Sequence, residues 1–278
     1  MLISTEVANA NHVELALKHD IDILWVGARS TVSPFIVQEI AEALRGTDKP
    51  VLIKNPVNPD LALWLGAVER FYSCDVKNLG VIHRGFSTYE KTNYRNNPEW
   101  QIAIELQNKF PDLPLILDPS HIAGRRDIIF DLCQTALDLN YDGFMVETHH
   151  DPDNAWSDAA QQVTPSRLIE IIKDLKIRKI TDHADEYKSN LKNLRTKINL
   201  ADNQLLDILG NRMNIAEEIG VLKKENNVAV LQSKRWNEIL GKMILQGEKK
   251  GLSEEFVLRV FKAIHQESIN HQESIFKE

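Results

Sequence analysis

An arginine stands where a leucine is expected. Leu191, Leu194, Ile198, Ala201, Leu205, Ile208, Arg212, Ile215, Ile219 and Leu222 fall at successive heptad positions, and a guanidinium on such a seam is strongly destabilising unless an anion faces it. An intersubunit salt bridge or a snorkelling side chain is the ordinary explanation. The neighbouring cations favour a ligand instead. Lys223 follows eleven residues later, about 16 Å along a helix axis, so two long side chains can converge on one small anion. Arg195 precedes Lys223 by twenty-eight residues, about 42 Å on a straight helix, so it can join the same site only from a second subunit. Ser268 and Gln272, four apart, share a helix face and offer neutral hydrogen-bond donors, a pair otherwise common on solvated faces.

A second set of chemical residues recurs at one phase in the first 176 positions. Glu6, Arg29, Lys54, Arg84, Asp118 with His121, and Glu147 each follow a short apolar run. Arg29, Lys54 and Arg84 would form a basic cluster suited to a phosphate and a carboxylate. His121, Glu147 and Asp158 make a histidine with two carboxylates, a donor set for a divalent metal. Solvated loop charges are the alternative, but unrelated charges would not keep this phase through six units.

The elements that position these residues follow from hydrophobic patterning. Strands are predicted at Leu2–Thr5, Ile23–Val26, Val51–Ile53, Leu79–Ile82, Leu115–Leu117 and Phe144–Val146, alternating with amphipathic helical stretches. About six βα units imply an α/β unit over residues 1–177, a (β/α)8 TIM-type barrel two units short, in which the C-terminal strand ends gather on one face. The count and a first strand starting at the first residues predict an N-terminally incomplete barrel with open edges. A doubly wound open sheet is the competing fold, less favoured because no Gly-rich phosphate loop follows the first strand. Residues 178–189 read as a charged linker. Residues 190–278 contain no proline and predict an all-α unit of three helices, broken at Asn226-Asn227 and between Gly247 and Gly251, with Ser253 capping the last.

The totals narrow the function classes. A length of 278 residues favours two units. A net charge of −7 leaves no basic surface for nucleic acid, so any anion site must be a local cluster. Cys74 and Cys133 form neither a disulfide framework nor a zinc spacing, which fits a reducing cytoplasm. No basic, apolar leader opens the chain, and no run of ~18 apolar residues predicts a membrane span.

The segment LRTKINLADNQLLDILGNRMNIAEEIGVLKK, with VLQSKRWNEIL and ESINHQ, resembles the all-helical class of chorismate mutases over the whole helical region. That resemblance implies a homodimer converting chorismate to prephenate without a cofactor. It implies Arg195 donated across the dimer, Arg212 and Ser268 on substrate carboxylate, Lys223 and Gln272 on the ether oxygen, and Arg235 as a further active-site arginine. Gln232 stands where the family has an aspartate or equivalent, and Trp236 replaces a glutamate. Those positions handle the ring hydroxyl in the family; Gln232 can still hydrogen-bond it, whereas Trp236 cannot take the glutamate's part.

The motifs VGAR, LIKNP, IHRG, DPSHIAGRR and VETHHDPDNAWSDAAQQ resemble 3-deoxy-D-arabino-heptulosonate-7-phosphate synthases, in the branch related to 3-deoxy-D-manno-octulosonate-8-phosphate synthases. By that resemblance Arg29, Lys54 and Arg84 hold phosphoenolpyruvate, and His121, Glu147 and Asp158 are three of four ligands to a divalent metal such as Mn2+. The family's fourth ligand, a cysteine on the first strand, and its lysine-proline-arginine motif are absent. The expectation is a bifunctional protein of aromatic amino-acid biosynthesis, with an intact mutase and a synthase-like barrel that condenses little or no substrate. A helical region serving only to dimerise the barrel is the alternative; it gives no reason for Arg212 on the seam. An octulosonate-branch barrel is a further alternative, disfavoured by the mutase fusion.

Overall fold

A computed structural model describes residues 1–89, 92–178, 185–231 and 233–277, with no side-chain description for residues 233–235 and 237. The chain divides into two compact units, Met1–Ile180 and Thr181–Glu278. Among the described residues no helix is long and apolar enough to cross a membrane.

The first unit is a half-barrel of six parallel strands. They are β1 (Ser4–Val7), β2 (Ile23–Val26), β3 (Val51–Lys54), β4 (Leu79–His83), β5 (Leu115–Leu117) and β6 (Gly143–Phe144). Their order in the sheet is their order in the chain. Successive parallel neighbours of this kind wind in one direction, as in a TIM-type barrel, whereas a doubly wound sheet reverses its order. The registers Val7 to Val26, Val26 to Ile53, Lys54 to Ile82, His83 to Leu117 and Leu117 to Phe144 bring the C-terminal ends to one rim. Val7, Leu24, Val26, Val51, Ile53, Val81, Leu115 and Leu117 are fully buried, as strands covered on both faces require.

Four strands differ from the sequence expectation: β3 and β4 each run one residue further, through Lys54 and His83, and β1 and β6 are displaced. β1 begins at Ser4, so Glu6 lies inside the strand rather than after it, and Leu2 and Ile3 are exposed. β6 is only Gly143–Phe144, because Glu147 already bonds out of the sheet: its N–H donates to Ser120 Oγ at 3.0 Å.

Several helices start where short polar side chains take the first orphan amides. Asn9 caps α1 (Ala10–Lys18), and Gly27 precedes the single turn α2 (Ala28–Thr31). Ser33 caps α3 (Pro34–Ala43), and Asp60 caps α4 (Leu61–Ser73). α5 (Trp100–Lys109) follows β4, and α6 (Pro119–Ala123) is capped by Asp118. α7 (Ile129–Asp138) and α8 (Pro165–Asp174), capped by Thr164, complete the layer. Pro34, Pro119 and Pro165 each occupy a first helical position, where a missing N–H costs nothing.

The second unit has three helices, α9 (Asp185–Glu225), α10 (Ser233–Glu248) and α11 (Glu254–Lys277). α9 starts at Asp185, so residues 185–189, read from sequence as linker, are helical; residues 179–184 lie outside the described residues. Two residues past the end of α9, Asn227 takes φ 53°, the left-handed turn that asparagine tolerates. Ser253 caps α11 by accepting from the Phe256 amide at 3.3 Å. Met213, Ala216 and Gly220 form the buried stripe of α9, and Gly220 packs on Gln272 of α11. A Cβ at Gly220 would lie 3.2 Å from Gln272 Cγ, so this glycine sets how closely α9 and α11 approach. The heptad seam lies elsewhere on α9. Leu194, Ile198, Leu205 and Ile208 are each more than half exposed.

Candidate functional site

In the helical unit, α9, α10 and α11 line a cavity of about 350 Å³, within the usual range of small-molecule sites. Arg212, Lys223, Ser268 and Gln272 all line it. Arg212 Nη1 donates to Ser268 Oγ, and that hydroxyl donates to the Ile264 carbonyl at 2.8 Å. Lys223 Nζ donates to Gln272 Oε1 at 3.0 Å and to the Val230 carbonyl at 2.6 Å. Burial lowers the pKa of both Arg212 and Lys223. The remaining wall is Ile215, Ile219, Ile239, Ile269, Trp236 and His265, together with Ala216 and Val230. No carboxylate lines it among the described residues. Arg195 is exposed on α9 and is not part of this wall. Gln232 lies outside the described residues, as does the side chain of Arg235.

Sequence reasoning missed His265 here. It stands three residues before Ser268 and seven before Gln272 on one face of α11, and its ring stacks on Trp236 with centroids 3.9 Å apart. That spacing was a usable signal.

In the half-barrel, the rim holds a cavity of about 450 Å³ lined by Arg29, Lys54, Arg84, His121, Glu147 and Asp158, all six of the expected residues. Lys54, at the end of β3, is buried, bonds Asp118 at 2.7 Å and lies 4.4 Å from the Trp25 ring centroid. Burial by itself raises the Asp118 carboxyl, but the adjacent His121 imidazole and Lys54 ammonium pull it down to about 2. Arg84 follows β4 and is aimed by two asparagines. Its N–H donates to Asn55 Oδ1 at 2.7 Å and its Nη1 to Asn96 Oδ1 at 2.8 Å. Burial lowers the Arg84 pKa, though a guanidinium stays charged.

His121, Glu147 and Asp158 offer ligand atoms within 4.8 Å of one another. His121 Nδ1 is buried, 2.9 Å from Asp118 and 3.2 Å from Glu147, yet satisfies hydrogen-bond geometry with neither. An orphaned imidazole nitrogen beside two carboxylates suits a borderline divalent cation, so these residues fit a metal. Arg95 and Gln161, unforeseen from sequence, brace the set: Arg95 Nη1 bonds Asp158 at 2.7 Å and Gln161 at 2.6 Å, and Gln161 Nε2 donates to Glu147 Oε2 at 3.0 Å. Asp158 takes φ 49°, an uncommon conformation for a residue other than glycine. Gly124 closes α6 at φ 65° and lies against Arg95, whose Cβ would be 2.5 Å from an added methyl; only glycine fits. Cys74 and Cys133 are buried away from the cavity lining.

The comparisons with known proteins follow this division. Residues 1–183 match the DAHP synthetase I family, and residues 194–273 match chorismate mutase type II. The phospho-2-dehydro-3-deoxyheptonate aldolase of Thermotoga maritima is 28% identical over 155 residues, covering 56% of this chain and 44% of its own length. The bifunctional chorismate mutase/prephenate dehydratase of Buchnera aphidicola is 32% identical over 83 residues, covering 30% of this chain and 22% of its own. This chain therefore spans less than half the length of either relative. Among solved structures, a truncated form of 3-deoxy-D-arabino-heptulosonate 7-phosphate synthase from Thermotoga maritima superposes with a TM-score of 0.56 at 26% identity, covering 63% of this chain and 64% of that one. The chain belongs to the DAHP synthetase I family, as a half-barrel of that family fused to a type II chorismate mutase domain.

Proposed function

We propose that the helical unit rearranges chorismate to prephenate, as a dimer whose two sites each take Arg195 from the partner subunit. The observation that carries this reading is the convergence of Arg212, Lys223, Ser268 and Gln272 in one cavity with no carboxylate among its described lining residues. Chorismate carries two carboxylates and reacts through a compact chair-like transition state in which the breaking ether oxygen gains negative charge. Arginines hold the carboxylates and select the reactive conformer. Lys223 places a fixed positive charge where the ether oxygen becomes negative, and Gln272, its carbonyl engaged by Lys223, keeps its amide nitrogen for the same oxygen. No nucleophile, proton carrier or cofactor is needed. The exposed seam of Leu194, Ile198, Leu205 and Ile208 supports pairing with a second copy, because an uncovered apolar stripe on a long helix is a coiled-coil surface. A purely dimerising unit would not need Arg212 and Lys223 turned into a cavity. The test is prephenate formation by the purified chain in a metal-chelating buffer: turnover is expected, with Arg212→Ala inactive and still dimeric. Full activity in that variant would refute the assignment.

For the half-barrel the reading is a divalent metal held by His121, Glu147 and Asp158, with Arg29, Lys54 and Arg84 on a phosphate and carboxylate such as those of phosphoenolpyruvate. A bound metal would act as a Lewis acid on a substrate carbonyl. With three protein donors and no thiol among the described lining residues, this chain is expected to condense little phosphoenolpyruvate with erythrose 4-phosphate. Appreciable heptulosonate product from the purified chain with added Mn2+ would overturn that reading.

A further inference from the structure

Among the described residues of the mutase cavity, His265 is a hydrogen-bonding group that the chemistry above does not use. His265 lines the cavity, and its imidazole lies nearly parallel to the Trp236 indole, 22° from coplanar at 3.9 Å. The stack covers one face of the imidazole and fixes its plane, which leaves the ring edge and its nitrogens as the reactive side. Neither nitrogen has a hydrogen-bond partner among the described residues. Burial, then the charges of Arg212 and Lys223, lower the pKa of His265. Both effects favour the neutral imidazole, donor at one nitrogen and acceptor at the other. The substrate offers a matching group. Its carboxylates and ether oxygen are assigned to cations and amide, while its secondary ring hydroxyl both donates and accepts, and no carboxylate lines the cavity among the described residues to receive it.

We propose that His265, braced by Trp236, hydrogen-bonds the ring hydroxyl of the substrate and makes the site selective for a hydroxylated over a deoxy ring. This rests on the mutase reading. His265 is thus a substrate-contacting residue, and Trp236 a positioning residue that acts through it.

The test compares kcat/KM for chorismate and for an analogue lacking the ring hydroxyl, in the full chain and in His265→Leu and His265→Gln. The unsubstituted chain should prefer chorismate by about tenfold or more, the worth of one neutral hydrogen bond in a partly buried site. His265→Leu should lose that preference while still turning over the analogue, and His265→Gln should regain most of it. Trp236→Phe, which keeps a ring to stack on, should retain more of the preference than Trp236→Ala. In case a variant misfolds, the 15N signals of the His265 ring in the unsubstituted chain supply an independent reading. They should shift with a bicyclic dicarboxylate ether bearing the hydroxyl and stay in place with its deoxy counterpart. Equal kcat/KM for both substrates in the unsubstituted chain, equal losses on both in His265→Leu, or identical ring shifts with both ligands would overturn the inference and leave the mutase reading intact. Turnover of neither substrate removes both.

Discussion

Lys223 on α9 and Gln272 on α11 are joined by a 3.0 Å hydrogen bond across a gap of 49 residues in the chain, beside the glycine that lets the two helices approach. The bond engages the amide carbonyl with the ammonium, at a residue that lines the cavity.

Removing the cation of this pair should therefore affect chemistry more than binding. Lys223→Ala is expected to lower kcat by about a hundredfold or more, comparable to deleting one preorganised donor at a developing oxyanion, with a small change in KM. Steady-state kinetics on chorismate check this; a change confined to KM would place Lys223 in ground-state binding alone.

Gly220 sets the spacing on which that bond depends. Gly220→Val should push Gln272 outward and reduce turnover while the helices persist, since a Cβ at that position would already lie 3.2 Å from Gln272 Cγ and the rest of the side chain overpacks the contact. Activity and far-ultraviolet circular dichroism measured together decide it: unchanged activity would show that the site tolerates a wider gap.

His83 gives the half-barrel a pH dependence of its own. Its ring is fully buried between the Tyr141 hydroxyl at 2.7 Å and the Pro98 carbonyl at 2.6 Å, and desolvation first of all pushes its pKa down to about 4. A depressed histidine binds its proton more readily in the unfolded chain. Its contribution to stability is thus complete above about pH 6.5, declines as the pH falls toward about 4, and changes no further below that. Thermal melts of the half-barrel should weaken through this window. His83→Gln should show a lower melting temperature at pH 7 and a flatter pH slope; an equally steep slope would assign the effect to other groups.

His121 should govern metal affinity. Mn2+ binding, followed by electron paramagnetic resonance, is expected to weaken at least about tenfold in His121→Ala, and to weaken in Asp158→Asn as well. Equal Mn2+ binding by all three proteins would remove these residues from the ligand set.

Much of this was legible in the sequence because the signals were periodic or phased. Arg212 on an apolar heptad and Lys223 eleven residues on pointed to one wall of a cavity, and polar residues recurring near the ends of the apolar runs pointed to a rim. What escaped notice depended on tertiary contact. Arg95 reaches Asp158 from 63 residues away, and nothing local in a polar loop marks it for that role. Glu6 was misplaced because LIST and STEV are similarly β-prone; only pairing with β2 sets which is the strand. Residues 185–189 read as linker because a helix exposed on all sides lacks the apolar stripe that would reveal it. His265 was readable, and a ring at that position on α11 became meaningful only with Trp236 beneath it.

The central claim, that two subunits gather cations around one doubly charged ligand, is most directly tested by mixing. Arg195→Ala and Arg212→Ala chains should each be inactive toward chorismate. Unfolded and refolded together in equal amounts, half of their dimers should pair one chain of each kind, and each such dimer has one complete site. Prephenate formation should return to about a quarter of the unsubstituted rate. A mixture as inactive as its components, with mixed dimers shown to form, would mean that Arg195 and Arg212 do not serve one site from different chains.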